Sequence, residues 1–242
     1  MLVAFNYAFP HKKSYEGLMA LLAAGLKPDL VVGAGYKKLN IKYSPTRISP
    51  QGLTFPTSEQ VCSEFGIDYL EADHDSTDLA EQLAALRPSS GVILGARILK
   101  DPIISTFSKG ILNLHPGVLP DNRGLDNLKW AIVRNLPQGV TSHLIDAAID
   151  RGLFIKKEIV DVYPDDSLLD INLRIQNVEM RLMTESLIEL ESRDRDTLPT
   201  LGEGEYHTAM DAETDARMLS LFEGYKAQYA ELREAYEQGQ PR

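Results

Sequence analysis

Gly91-Val92-Ile93-Leu94-Gly95, then Pro102 to Phe107, then Ile111-Leu112-Asn113-Leu114-His115-Pro116 form the stretch that decides the fold. An apolar run bounded by glycines reads as a strand covered on both faces. The segment opening at Pro102 reads as a helix, and Gly110 stands where that helix can stop. Leu112 to His115 follows as a second strand. Asn113 and His115 are two apart, so an extended chain turns both side chains to one face. Pro116 lacks the N–H that a sheet ladder needs, so pairing is expected to end just after His115.

The same rhythm extends toward the N-terminus. Leu2 to Ala8 reads as a strand, and Ser14 to Ala24 as a helix with Leu18, Leu21 and Leu22 on one side. Leu30 to Gly35 is a further strand, and the polar, Pro-punctuated stretch from Lys37 to Pro56 reads as a long loop. A helix opens at Thr57-Ser58-Glu59 and carries Val61, Cys62 and Phe65; Ile67 to Leu70 is a strand and Leu79 to Leu86 a helix. Alternation of this kind predicts an α/β fold, a doubly wound, mostly parallel sheet with helices on both faces. In such sheets ligands lie beyond the carboxyl ends of the strands, where Asn113 and His115 fall.

Toward the C-terminus the pattern changes. Phe154 to Val162 reads as an antiparallel strand, and Ser167 to Glu191 as a long amphipathic helix with Leu168, Ile171, Ile175, Val178, Leu182 and Leu187 among its apolar positions. The chain after Arg193 is charged and turn-rich, then helical from Asp211 to Gln238. This divides it into a main domain, 1–195, and a mainly helical C-terminal extension, 196–242. The apolar positions on the two long helices exceed what one sheet face obviously covers, which implies a homodimer.

Composition narrows the function. The chain has 242 residues, 43% hydrophobic residues and a formal net charge of -10, enough for one large core and poorly suited to a broad nucleic-acid face. Cys62 is the single cysteine, which excludes a disulfide framework and a Cys-based zinc site. The five histidines, His11, His74, His115, His143 and His207, are widely spread, so no metal is expected. No apolar run is long enough to span a bilayer, and the N-terminus lacks a basic n-region, so the expected place is the cytoplasm and no membrane contact is expected. Gly33-Ala34-Gly35 carries only two glycines of a dinucleotide fingerprint, with Lys38 in the third position.

Chemistry concentrates in Asn113, His115 and the segment His143-Leu144-Ile145-Asp146-Ala147-Ala148-Ile149-Asp150-Arg151-Gly152. An amide can donate to an oxyanion, an imidazole moves protons near neutral pH, and a carboxylate steadies the imidazolium. Together they suit acyl transfer. Taken singly, each also reads as a polar residue closing a loop. All three are expected in a solvent-reached cleft rather than in the core.

Asn113-Leu114-His115-Pro116, Leu119-Pro120, Arg123-Gly124, Trp130-Ala131-Ile132, Gly139-Val140-Thr141-Ser142-His143 and Asp150-Arg151-Gly152 stand in one order, and the chain here resembles the folate-dependent formyltransferase family. The likeness runs over about residues 90 to 160 and fades at both ends. It implies transfer of a formyl group from N10-formyltetrahydrofolate to an amine, with Asn113, His115 and Asp150 as the catalytic trio. Asp146 competes for the acid, but Asp150 is the one followed by x-Gly. The resemblance further implies that Arg97, Ile98 and Leu99, together with His143 and Asp146, lie around the folate.

The acceptor is implied less directly. The place after the first strand, Asn6-Tyr7-Ala8-Phe9-Pro10-His11-Lys12-Lys13, holds no glycine, unlike the phosphate loop of purine-pathway relatives. The short acidic C-terminal region is unlike the second domain of initiator-tRNA formyltransferases. The remaining class formylates nucleotide-linked amino sugars. On that reading Tyr206 can stack on a base and His207 can contact a phosphate, or the pair is a packing Tyr and a surface His. His11 and Lys12, with Lys13, can hold a pyrophosphate at a helix N-terminus, or form a solvated basic cluster. Arg123 positions substrate or braces its loop. Other readings are another small amine (glycinamide ribonucleotide-like or an amino-acid side chain), hydrolysis of the folate, and a non-catalytic folate-binding protein.

Overall fold

The computed structural model describes residues 1–37, 54–146 and 152–239. In chain order the elements are β1 (Leu2–Tyr7), α1 (Lys12–Ala23), β2 (Leu30–Ala34), α2 (Ser58–Phe65), β3 (Asp68–Glu71), α3 (Thr77–Leu86), β4 (Ser90–Ile93), α4 (Asp101–Ile104), β5 (Gly110–His115), β6 (Arg123–Gly124), α5 (Asn127–Arg134), β7 (Gly139–Leu144), β8 (Leu153–Ile159), α6 (Leu168–Ser192), β9 (Tyr206–His207) and α7 (Ala212–Glu237). The seven-stranded sheet has the order β3-β2-β1-β4-β5-β7-β8. Its first five strands are parallel; β5–β7 and β7–β8 are antiparallel. This is a mostly parallel α/β sheet, as the alternation implies. The long loop read at Lys37–Pro56 falls for the most part outside the described residues.

Local chemistry sets the element ends. Thr57 caps α2 in a capping box with Gln60, and Ser167 caps α6 with Asp170 in the same way. Ser76 caps α3, and Gly66 closes α2 in the left-handed conformation. Gly110 does not stop the helix that starts near Pro102. α4 already ends at Ile104, and Lys109 N–H donates to Ser89 O at 2.8 Å, so Gly110, with φ 97, opens β5 instead.

Two apolar layers sandwich the sheet. One gathers Leu18, Leu21, Val31, Cys62, Val92 and Leu112 with the inner faces of α6 and α7; the other gathers Val3, Phe5, Val32, Leu79, Leu83, Ile103 and Ile111. β2 is buried at every position, as a strand covered on both faces must be. The apolar stripe of α6 is consumed within the chain: Ile171, Ile175, Leu182 and Met183 have at most 1% exposure. The case for a homodimer therefore loses that helix, because this chain's own sheet covers it. Ile188, Leu219 and Leu221 remain exposed.

The C-terminal segment closes back on the main unit. β9 pairs in parallel with β6, and Tyr229 Oη on α7 accepts from Gln138 N–H at 2.9 Å and donates to Val160 O at 2.5 Å. No described helix is long and apolar enough to cross a membrane.

Candidate active site

Sheet order defines a switch point between β1 and β4, since the chain runs outward from β1 to β3 and then returns to β4. A crevice beyond the carboxyl ends at such a point is the ordinary ligand site. The segment after β4 forms one wall. Gly95 lies at φ 133, and a Cβ there would meet Ser14, Tyr7 and His11. Tyr7 Oη donates to Ala96 O at 3.0 Å, and the Arg97 guanidinium lies over the Tyr7 ring at 5.3 Å. Arg97 Nη2 donates to Gly35 O at 3.3 Å, while its Nε is buried with no partner among the described residues. Ile98 is 71% exposed and Leu99 is buried.

Asn113 and His115 follow on β5. The antiparallel register sets Asn113 opposite His143 and His115 opposite Thr141. Asn113 Nδ2 lies 3.2 Å from His143 Nε2, and His143 Nδ1 lies 3.3 Å from Leu144 O. One proton arrangement satisfies both contacts: Nδ1–H donates to the carbonyl, and Nε2 accepts from the amide. His143 thereby orients Asn113. A register shift between Ser142 and His143 re-aims this part of β7.

His115 is 3% exposed and His143 0%, so the expectation of a solvent-reached cleft fails for His115. The reason is the turn after β5. His115 Nε2 donates to Asn122 O at 2.8 Å, and a Cβ on Gly117 would stand 2.8 Å from the same carbonyl and 3.0 Å from Nε2. Thr141 Oγ1 donates to Gly117 O and accepts from Leu119 N–H, fastening the turn to β7. Asp146 is exposed, and Asp150 lies outside the described residues. Gly152 packs so closely against Leu144 O that a Cβ would overlap it.

The acceptor-side candidates divide. His11 caps α1, its Nδ1 accepting from Ser14 N–H at 3.3 Å, and burial, then Lys13, lowers its pKa to about 4. It is therefore neutral near pH 7. Lys12 donates to Glu16 and to Gln176, and Lys13 to Glu179 at 2.7 Å, so these ammonium groups already have protein partners. Arg123 Nη1 donates to Gly204 O at 3.1 Å, which braces the 202–207 turn. His207 is 5% exposed, stacks on Trp130 at 4.3 Å and sits 3.0 Å from Arg134 Nη1. Its place under the Trp ring corrects the picture of a phosphate contact. Tyr206 is 45% exposed.

Sequence reasoning passed over His74. It is 0% exposed, packs edge-on to Phe5 and is bonded at both nitrogens. The only local hint was an imidazole between Asp73 and Asp75 at a strand end. Among the described residues, no group of three His, Cys, Asp or Glu side chains could hold a metal ion.

The α/β sheet carries an amide and an imidazole on one strand beside the switch point, residue types suited to group transfer. The formyl transferase family model matches residues 54–187, and the chain belongs to that family. A methionyl-tRNA formyltransferase from Chlorobium chlorochromatii (strain CaD3) is 26% identical over 187 residues, covering 75% of this chain and 56% of the relative. The chain thus spans about half the length of the curated relatives it matches. Glycinamide ribonucleotide transformylase 1 from Symbiobacterium toebii superposes with a TM-score of 0.60 at 23% identity, covering 84% of this chain and 94% of that one. An N-formyltransferase from Helicobacter canadensis, solved with folinic acid and dTDP-3-aminofucose, gives a TM-score of 0.59 at 19% identity, covering 86% and 70%. At these identities the structures speak for the fold.

Proposed function

We propose that this protein transfers a formyl group from N10-formyltetrahydrofolate to the primary amine of a nucleotide-linked amino sugar. The observation that carries the transfer is the Asn113 amide, held by His143 on the same strand face as His115, in a chain of the formyl transferase family. The Asn113 Nδ2 group has a second hydrogen to offer an oxygen that gathers negative charge, a contact worth roughly 3 kcal/mol in the transition state. His115 takes the proton from the attacking amine and passes it toward the leaving nitrogen. Asp150, at the seventh position after His143, steadies the imidazolium. When bound, the folate supplies the activated formyl carbonyl.

The wall after β4 suits a pterin. The buried Arg97 Nε, unpartnered among the described residues, is a hydrogen-bond donor awaiting an acceptor, and the exposed Ile98 adds apolar surface beside it. The acceptor reading rests on the end of β1. Tyr7 stacks on Phe9 at 4.9 Å, and Phe9 meets Tyr36, 71% exposed, edge-on at 5.4 Å. An aromatic face where a glycine-rich phosphate loop would otherwise lie favours a ligand with a flat ring. Tyr206 offers a second such surface.

The test is release of tetrahydrofolate from N10-formyltetrahydrofolate with a panel of amines in EDTA. Turnover with a deoxythymidine- or guanosine-diphosphate amino sugar is expected. Turnover with glycinamide ribonucleotide or an amino acid alone would overturn the acceptor class, and absolute dependence on added divalent metal would overturn the mechanism.

A further inference from the structure

We propose that His74 is a positioning residue for the folate: its imidazole is a two-sided spacer that fixes the main chain at Arg97. The proposal rests on the folate-dependent reading above. His74 Nε2 donates to Val32 O at 3.1 Å, and Nδ1 accepts from Arg97 N–H at 3.2 Å. The ring thus spans from Val32, midway along β2 and buried in the sheet, to the centre of the 95–99 wall. With no solvent exposure and Phe5 edge-on at 5.4 Å, it has no room to turn.

The wall depends on such a clamp because its backbone is not self-supporting. It begins at Gly95, in a conformation that L side chains rarely adopt, and it leaves the sheet once β4 ends at Ile93. Arg97 is its central residue. With N–H bonded to His74 and Nη2 to Gly35 O, both its main chain and its guanidinium are aimed. Loss of the Nδ1 acceptor would leave a part-buried N–H without this partner and let the wall shift by the fraction of an ångström to which pterin recognition is sensitive.

Only the neutral ring can do this. Burial above all lowers the His74 pKa, and the Arg97 charge acts in the same direction, against the Val32 carbonyl and the Asp73 and Asp75 carboxylates. Asp73 is paired with Lys37 at 2.9 Å and Asp75 with Lys100 at 3.4 Å, so neither competes for the ring. Protonated Nδ1 would face Arg97 N–H donor to donor.

Two variants separate positioning from plain packing. His74→Asn keeps an acceptor near Nδ1 and drops the donor to Val32, whereas His74→Gln does the reverse. Folinic acid, which carries no transferable N10-formyl group, is the probe, titrated by calorimetry into the full chain. His74→Gln is expected to weaken binding at least about tenfold, a loss of roughly 1.4 kcal/mol, and to raise the KM for formylfolate with kcat held within about twofold. His74→Asn should bind within about threefold of wild type, and amide exchange at Arg97 should quicken only in His74→Gln. Should His74→Gln fail to fold, His74→Phe, which keeps a ring against Phe5, takes its place. Equal affinities in wild type and His74→Gln, or equal losses in both variants, overturn the positioning role alone. A wild-type chain that binds no folinic acid overturns the folate reading and this proposal with it.

Discussion

Asn113 is the residue whose environment says most about what this chain does. A side-chain amide on a central strand has four hydrogen-bonding positions to fill, and a histidine from the neighbouring strand fills one of them. Truncation should therefore cost chemistry more than folding. Asn113→Ala and His115→Ala are each expected to lower kcat at least about a hundredfold, as loss of an oxyanion donor or a proton carrier does. Far-ultraviolet circular dichroism of Asn113→Ala should remain that of wild type. Asp150→Ala should fall in the same range and Asp146→Ala should be milder; the reverse order in steady-state assays would reassign the acid. His115 is a more compact case than its motif suggests. Because its Nε2 is committed to Asn122 O, Gly117→Ala should also depress kcat, by crowding that contact rather than by removing it.

Elements carry the stability predictions. α7 docks through Tyr229, 2% exposed, whose hydroxyl meets Gln138 and Val160. Tyr229→Phe keeps the ring and strands two backbone groups, so chemical denaturation should show a loss of about 1–3 kcal/mol. The α1 cap predicts a pH effect. His11 has a folded pKa of about 4 against an ordinary 6.5, so between those values the unfolded chain binds more protons than the folded one. The contribution of His11 is thus fully present above about pH 6.5 and is lost as pH falls toward about 4. Buried His74 acts in the same sense. Tm measured across this window should fall with acidification, and His11→Asn, which can still cap the helix, should flatten the curve. An unchanged slope in that variant would remove His11 as the cause.

At the scale of the whole molecule the open question is which amine enters. Lys12 and Lys13 are spent on Glu16, Gln176 and Glu179, and among the described residues the end of β1 presents the rings of Tyr7, Phe9 and Tyr36. Aromatic capture of a flat ring then predicts preference by base rather than by phosphate count. A nucleotide-linked amino sugar should bind at least about tenfold tighter than glycinamide ribonucleotide in equilibrium titrations. Tyr36→Ala should erase most of that difference while leaving folinic acid binding in place. Equal affinities in wild type would count against the ring-recognition reading.

What the sequence by itself determined follows from short-range regularity. Runs such as Leu30 to Gly35 and Gly91 to Gly95 announce strands, Thr57 and Ser167 announce helix starts, and the spacing of Asn113 and His115 puts them on one face. Those signals need only a few neighbouring residues, because strand period and cap geometry are local. Tertiary structure alone decided the rest. That His143 holds Asn113, that His74 clamps Arg97 and that Lys12 reaches Gln176 are contacts across 30, 23 and 164 positions of chain. Each depends on strand order and register, including the shift between Ser142 and His143, and on which helix covers which face. Burial did the same for charge. A histidine that titrates near neutral pH in water becomes a neutral cap or spacer once the sheet closes over it, because desolvation penalises the cation.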